Sequence, residues 1–163
     1  MMTGCENSRP ASWQSTKGRD EMTSRKTTTH LKIGFGDCDP AQIVYYPNYF
    51  DWFDRGTHQL FEDAGMSLKT LEADLGVLTP IVDAQSRFLS PARWEDNIEI
   101  ESEVTRWGSR SFTVTHRVSQ SESGVAVAEG TEERVCVQRD PDGSGQIKSC
   151  EIPATVRAAF END

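Results

Sequence analysis

The segment Phe35-Gly36-Asp37-Cys38-Asp39-Pro40 sets two carboxylates on either side of a thiol, and ionised carboxylates can attack an acyl carbonyl or take a proton from water. Cys38 is the poorer nucleophile, because no base is placed beside it and the neighbouring carboxylates disfavour a thiolate. Two Asp residues ahead of a proline are equally a turn former, so motif content alone leaves catalysis and turn chemistry level. Other candidates are weaker. His30, His58 and His116 lie too far apart for a ligand set or triad signature. Gly143-Ser144-Gly145 follows Asp140-Pro141-Asp142 and reads as a hairpin turn, not a nucleophile elbow.

The elements around this loop would position it. Residues 28–35 alternate, with Leu31, Ile33 and Phe35 on one side, which predicts a half-buried strand. Beyond the loop, Tyr49, Trp52, Phe53, Gly56, Leu60, Phe61 and Ala64 recur at helical spacing, with Pro47 suited to the first turn and Gly65 to the stop. The start of this core helix offers unpaired N–H donors and a positive dipole end beside the Asp pair, so a developing oxyanion and a carboxylate would be neighbours. A shorter helix is expected over 68–75, capped by Ser67 and stopped at Gly76. From Val77 the pattern turns β: runs over 77–89, 98–107, 111–119 and 125–138 predict consecutive antiparallel strands, with a short return strand at 146–149 and a C-terminal helix opened by Pro153. The fold class is α+β, an antiparallel sheet curled around one long helix.

Residues 1–26 lack periodic apolar positions and are expected to be a disordered tail, with Met22 an alternative start; one domain then spans 27–163. A formal charge of −9 argues against nucleic-acid binding. No apolar run approaches the ~18 residues of a membrane span and no signal-peptide core is present, so no membrane partner and a cytoplasmic location are expected. Cys5, Cys38, Cys136 and Cys150 form no Cys-x-x-Cys pair, which indicates neither a metal site nor a redox dithiol.

Phe35-Gly36-Asp37-Cys38-Asp39-Pro40-Ala41, followed by Ile43-Val44-Tyr45-Tyr46-Pro47-Asn48-Tyr49, is similar to the signature of the 4-hydroxybenzoyl-coenzyme A thioesterase branch of the hotdog-fold thioesterases. Weaker matches run through Thr79-Pro80-Ile81-Val82, Trp107, Ser111-Phe112 and Arg134-Val135. The resemblance implies hydrolysis of an aromatic or short-chain acyl-CoA without metal or bound cofactor. Asp39 would be nucleophile or general base, and the backbone N–H of Tyr46 the oxyanion donor. Asp54 is implied to face the acyl ring from a partner subunit and Thr79 to line the acyl pocket, while Arg110 and Ser111 are the candidates for coenzyme A.

Two positions depart from the pattern. Gln42 stands where the family commonly has glycine, and Gly108-Ser109-Arg110-Ser111 is less basic than the corresponding coenzyme A grip. A homo-oligomer, dimer or tetramer, is implied, and Trp52, Phe53, Phe61, Tyr45 and Tyr49 are more aromatic surface than one helix face is expected to hide. The alternatives are a thioesterase for acyl carrier protein and a non-catalytic acyl-binding hotdog module.

Overall fold

The computed structural model describes residues 25–140 and 145–161, so all but the last two residues of the expected tail, and the Asp140–Gly145 turn in large part, lie outside it. Strand β1 (Lys26–Lys32) leads through a 3-10 turn (Phe35–Asp37) to helix α1 (Pro47–Asp63) and helix α2 (Leu68–Leu75). Strands β2 (Val77–Leu78), β3 (Ile81–Phe88), β4 (Asn97–Trp107), β5 (Ser111–Gln120), β6 (Ala126–Val135), β7 (Val137–Arg139) and β8 (Ile147–Ser149) follow, then helix α3 (Ala154–Glu161). The main sheet has five antiparallel strands in the order β1-β4-β5-β6-β3, and a smaller sheet has the order β2-β7-β8.

The expected arrangement is present, since α1 lies buried against the main sheet through Tyr49, Trp52, Phe53, Gly56, Thr57, Leu60 and Phe61. Close approach explains two of the glycines. A Cβ at Gly130 of β6 would stand 2.2 Å from the Phe53 ring, and one at Gly56 would stand 2.5 Å from Ser102 Oγ. The apolar residues form two clusters, one around Ile33, Trp52, Phe53 and Ile98, the other around Leu60, Phe61, Val104, Phe112 and Phe160. Ser67 caps α2 by accepting the Thr70 N–H at 3.1 Å, and Gly76 ends it in the left-handed region with φ 64°.

Four expectations about elements are corrected, one being that the run over 125–138 is two strands, β6 in the main sheet and β7 in the smaller one. Strand β1 ends at Lys32, and Phe35 is 78% exposed in the 3-10 turn, packed edge-on against Trp94, because Ile33 N–H already bonds the Asp96 carbonyl at the sheet edge and the chain then turns. The run over 77–89 is two strands, broken at Thr79-Pro80 because proline cannot donate to a ladder. Strand β3 also crosses to the far edge and pairs with β6, so the strands are not a simple meander.

Candidate active site

The two aspartates of the loop have different surroundings. Asp37 is tied into scaffolding: its Oδ2 accepts the Gly34 N–H at 2.7 Å, and its carbonyl accepts the Tyr45 N–H at 2.8 Å and Asn48 Nδ2 at 2.9 Å. Asp39 lines a cleft of about 360 Å³ with Ile43, Val44, Tyr46, Tyr49, Phe88, Leu89 and Ala92. The Asp39 Oδ1 accepts the Ala41 N–H at 2.8 Å, its carbonyl accepts the Gln42 N–H at 2.8 Å, and its own N–H donates to Ile43 at 2.9 Å. This tight turn requires a left-handed residue, and Gln42 takes it with φ 63°. The backbone shape that glycine would favour is therefore kept with a side chain present. Arg93 Nη1 donates to the Gln42 carbonyl at 3.5 Å, a prop on the same turn.

Tyr46 caps α1 in helical conformation, with Pro47 following it. Its neighbour Tyr45 donates its N–H to Asp37, whereas the Tyr46 N–H has no acceptor among the described residues. The helix start and Asp39 thus border one cleft, whose walls are mostly apolar. Tyr49 is buried there. Burial, with the charges of Cys38 and Asp96, pushes its hydroxyl up to about 12, so it stays a protonated phenol near neutral pH.

The other candidates lie elsewhere in the chain. Asp54, on α1, is held through Oδ1 by Arg134 Nη2, and Arg134 Nη1 donates to the Thr79 carbonyl at 3.3 Å. Arg134 pairs with Ile81 at the start of β3, while Phe88 at its end lines the Asp39 cleft. Ser111 pairs with Val135, which puts it and Arg110 at the Arg134 end of the sheet. Arg110 Nη1 donates to Ser149 Oγ at 3.3 Å. Burial alone would raise the neighbouring Glu133 carboxyl, but the Thr113 and Ser111 hydroxyls and Arg106 hold it below the ordinary range. Asp39 and Tyr46 are therefore brought together, and Asp54, Thr79, Arg110 and Ser111 form a second set toward the opposite end of β3.

Residue reasoning missed Phe88 and Leu89, whose role depends on the crossover of β3, and the buried Glu132 behind Arg134. Spacing also gave no sign that Cys136 and Cys150 meet, whereas the fold brings their thiols to 3.5 Å beside the β7–β8 pair. Among the described residues no cluster of His, Cys, Asp and Glu could hold a metal.

A family model described as the thioesterase-like superfamily matches residues 33–160. The chain belongs to that superfamily. Relatives include the 4-hydroxybenzoyl-CoA thioesterase of Pseudomonas sp. strain CBS-3, 32% identical over 80% of this chain and 94% of that protein. A 1,4-dihydroxy-2-naphthoyl-CoA hydrolase of Thermosynechococcus vestitus is 30% identical over 65% of this chain and 72% of its own length. Among solved structures, an Asp-to-Asn mutant of 4-hydroxybenzoyl-CoA thioesterase complexed with 4-hydroxybenzoyl-CoA superposes with TM-score 0.76 at 31% identity, covering 84% of this chain and 99% of that one. The chain is thus a hotdog-fold thioesterase.

Proposed function

We propose that this thioesterase hydrolyses aromatic, hydroxybenzoyl-like acyl-CoA esters, with Asp39 as the catalytic carboxylate. The observation that carries the reading is the shared cleft of Asp39 and the Tyr46 N–H at the start of a buried helix. A thioester carbonyl oxygen directed at that N–H gains a donor and the positive helix end as charge develops on it. Asp39 then adds to the carbonyl carbon, or takes a proton from the water that does. Coenzyme A leaves as the thiol, and one water is consumed per free acid formed. The apolar wall of Ile43, Val44, Tyr49, Phe88 and Leu89 suits an aromatic or short apolar acyl group.

A two-fold dimer belongs to the same proposal. Strand β3 is an edge strand, and Ile81, Val82 and Phe88 on it are 40%, 61% and 49% exposed. An edge of this kind is a template for a second strand. Pairing β3 antiparallel with its symmetry mate would set the start of one strand beside the end of the other, so the partner subunit's Asp54 and Thr79 would approach Asp39. Arg110 and Ser111 would arrive at the same end to meet coenzyme A. The aromatic residues in and just before α1 do not argue for this dimer: Tyr49, Trp52, Phe53 and Phe61 are buried within the chain, and of the five expected at the surface only Tyr45, ahead of the helix, is exposed.

The test is free-thiol release across aryl and short acyl-CoA esters, with an acyl carrier protein thioester alongside. Fastest release from a hydroxylated aryl-CoA is expected. Faster release from the carrier ester would move the activity to carrier proteins, and ligand binding without release from any ester would make the chain an acyl-binding module.

A further inference from the structure

Glu132 and Arg134 occupy alternate positions of β6, so both side chains point inward beneath α1. They are 1% and 3% exposed. Charges so buried need both ion pairing and hydrogen bonds. Glu132 Oε2 accepts from Thr57 Oγ1 at 2.7 Å, from Arg134 Nε at 3.0 Å and from Arg134 Nη2 at 2.8 Å. Burial alone would raise the Glu132 carboxyl, but the adjacent His116 imidazole, the Arg134 charge and the Thr57 hydroxyl outweigh it and hold it below the ordinary carboxylate range. Glu132 is therefore an anion, held by the Nε and Nη2 edge of the Arg134 guanidinium.

The same buried guanidinium also holds groups nearer the surface. Arg134 Nη2 holds Asp54 Oδ1, and Nη1 holds the Thr79 carbonyl at 3.3 Å, so one cation ties down both residues expected beside the acyl group. One guanidinium shared by two carboxylates leaves a net charge of about −1, and Asp54 is the member that reaches solvent, its side chain 44% exposed. Its Oδ2 faces only the exposed His58, at 3.7 Å, among the described charged groups. An ion pair whose sole task was stability could be replaced by packed apolar groups at no loss. This one instead aims a fixed carboxylate oxygen outward.

We propose that Arg134, backed by Glu132 and Thr57, is the positioning residue of acyl recognition: it locks Asp54 as an anionic hydrogen-bond acceptor that selects acyl groups ending in a hydroxyl donor and rejects those ending in a carboxylate. The inference rests on the reading of Asp54 as an acyl-facing residue. Arg134 offers a carboxylated acyl group no counter-charge, because Glu132 and Asp54 already share it.

The native enzyme supplies the first test. Its kcat/KM for 4-carboxybenzoyl-CoA should fall about tenfold or more below that for benzoyl-CoA, as like charges require; an equal or higher value overturns the rejection. The second test is the ratio of kcat/KM for 4-hydroxybenzoyl-CoA over benzoyl-CoA in the Glu132→Gln/Arg134→Gln double variant, which removes both buried charges and leaves neither unpaired. The ratio should fall about tenfold, the scale of one charge-assisted hydrogen bond, and no further when Asp54→Asn is added. Arg134→Lys, which keeps a charge for Glu132 without the planar fork, should lower the ratio part of the way. A double variant that keeps the ratio while Asp54→Asn alone loses it would leave Asp54 recognition intact and refute the role of Arg134. If Asp54→Asn also keeps the ratio, the reading of Asp54 fails and this inference with it. Equal loss on both substrates would make Arg134 merely structural.

Discussion

Two aspartates in one loop have different work because of what their oxygens already touch. The Asp37 carboxylate and carbonyl are spent on the turn, whereas Asp39 gives Oδ1 to the Ala41 N–H and borders the cleft. Turn chemistry and catalysis, level on motif content, need not compete, since a side chain fixed by one oxygen is a better positioned reagent than a mobile one. The same turn carries a cost at Gln42, whose φ of 63° disfavours any residue with a Cβ. Gln42→Gly should therefore stabilise the fold by about 1 kcal/mol in denaturant unfolding, with no loss of thiol release. A destabilised Gly variant would mean that the Arg93 contact, or another made by the Gln side chain, outweighs the backbone strain.

At the scale of elements, the distance between α1 and the sheet is set where β6 has no side chain. Gly130→Ala would drive a methyl into the Phe53 ring, and overpacking of this kind costs about 2 kcal/mol. A melting temperature unchanged by that substitution would show that the helix can back away. Most elements could be read from local pattern: α1 from its apolar stripe, α2 from Ser67 and Gly76, and β4 to β6 from alternation and turns. What pattern could not supply was partnership. Nothing in residues 81–88 says that β3 pairs with β6 instead of β4, and the lining of the cleft by Phe88 follows from that crossover. Glu132 and Arg134 left a clearer trace, since charges on the inward positions of a strand contradict its own alternation. Their partners Thr57, Asp54 and Thr79 come from three other segments and could not be found without the fold.

For the whole molecule, the separation of site residues into two sets has an assembly consequence. One chain holds Asp39 and Tyr46 toward the end of β3 and Asp54 and Thr79 toward its start. A complete site on the proposed reading needs two chains paired along β3. Val82→Lys places a charge on the exposed edge and should shift the protein to monomer in sedimentation, with thiol release falling in parallel. A monomeric variant that keeps full turnover would place the whole reaction within one chain.

All of these depend on Asp39 being the reacting carboxylate. The direct measurement is thiol release by Asp39→Asn on the best acyl-CoA ester of the panel, with ligand affinity and melting temperature measured on the same preparation. The account predicts a fall in kcat of about a hundredfold or more, the scale of losing a positioned base or nucleophile, with binding and melting unchanged. Turnover within a few-fold of the native enzyme, in a folded variant that binds ligand normally, would contradict it.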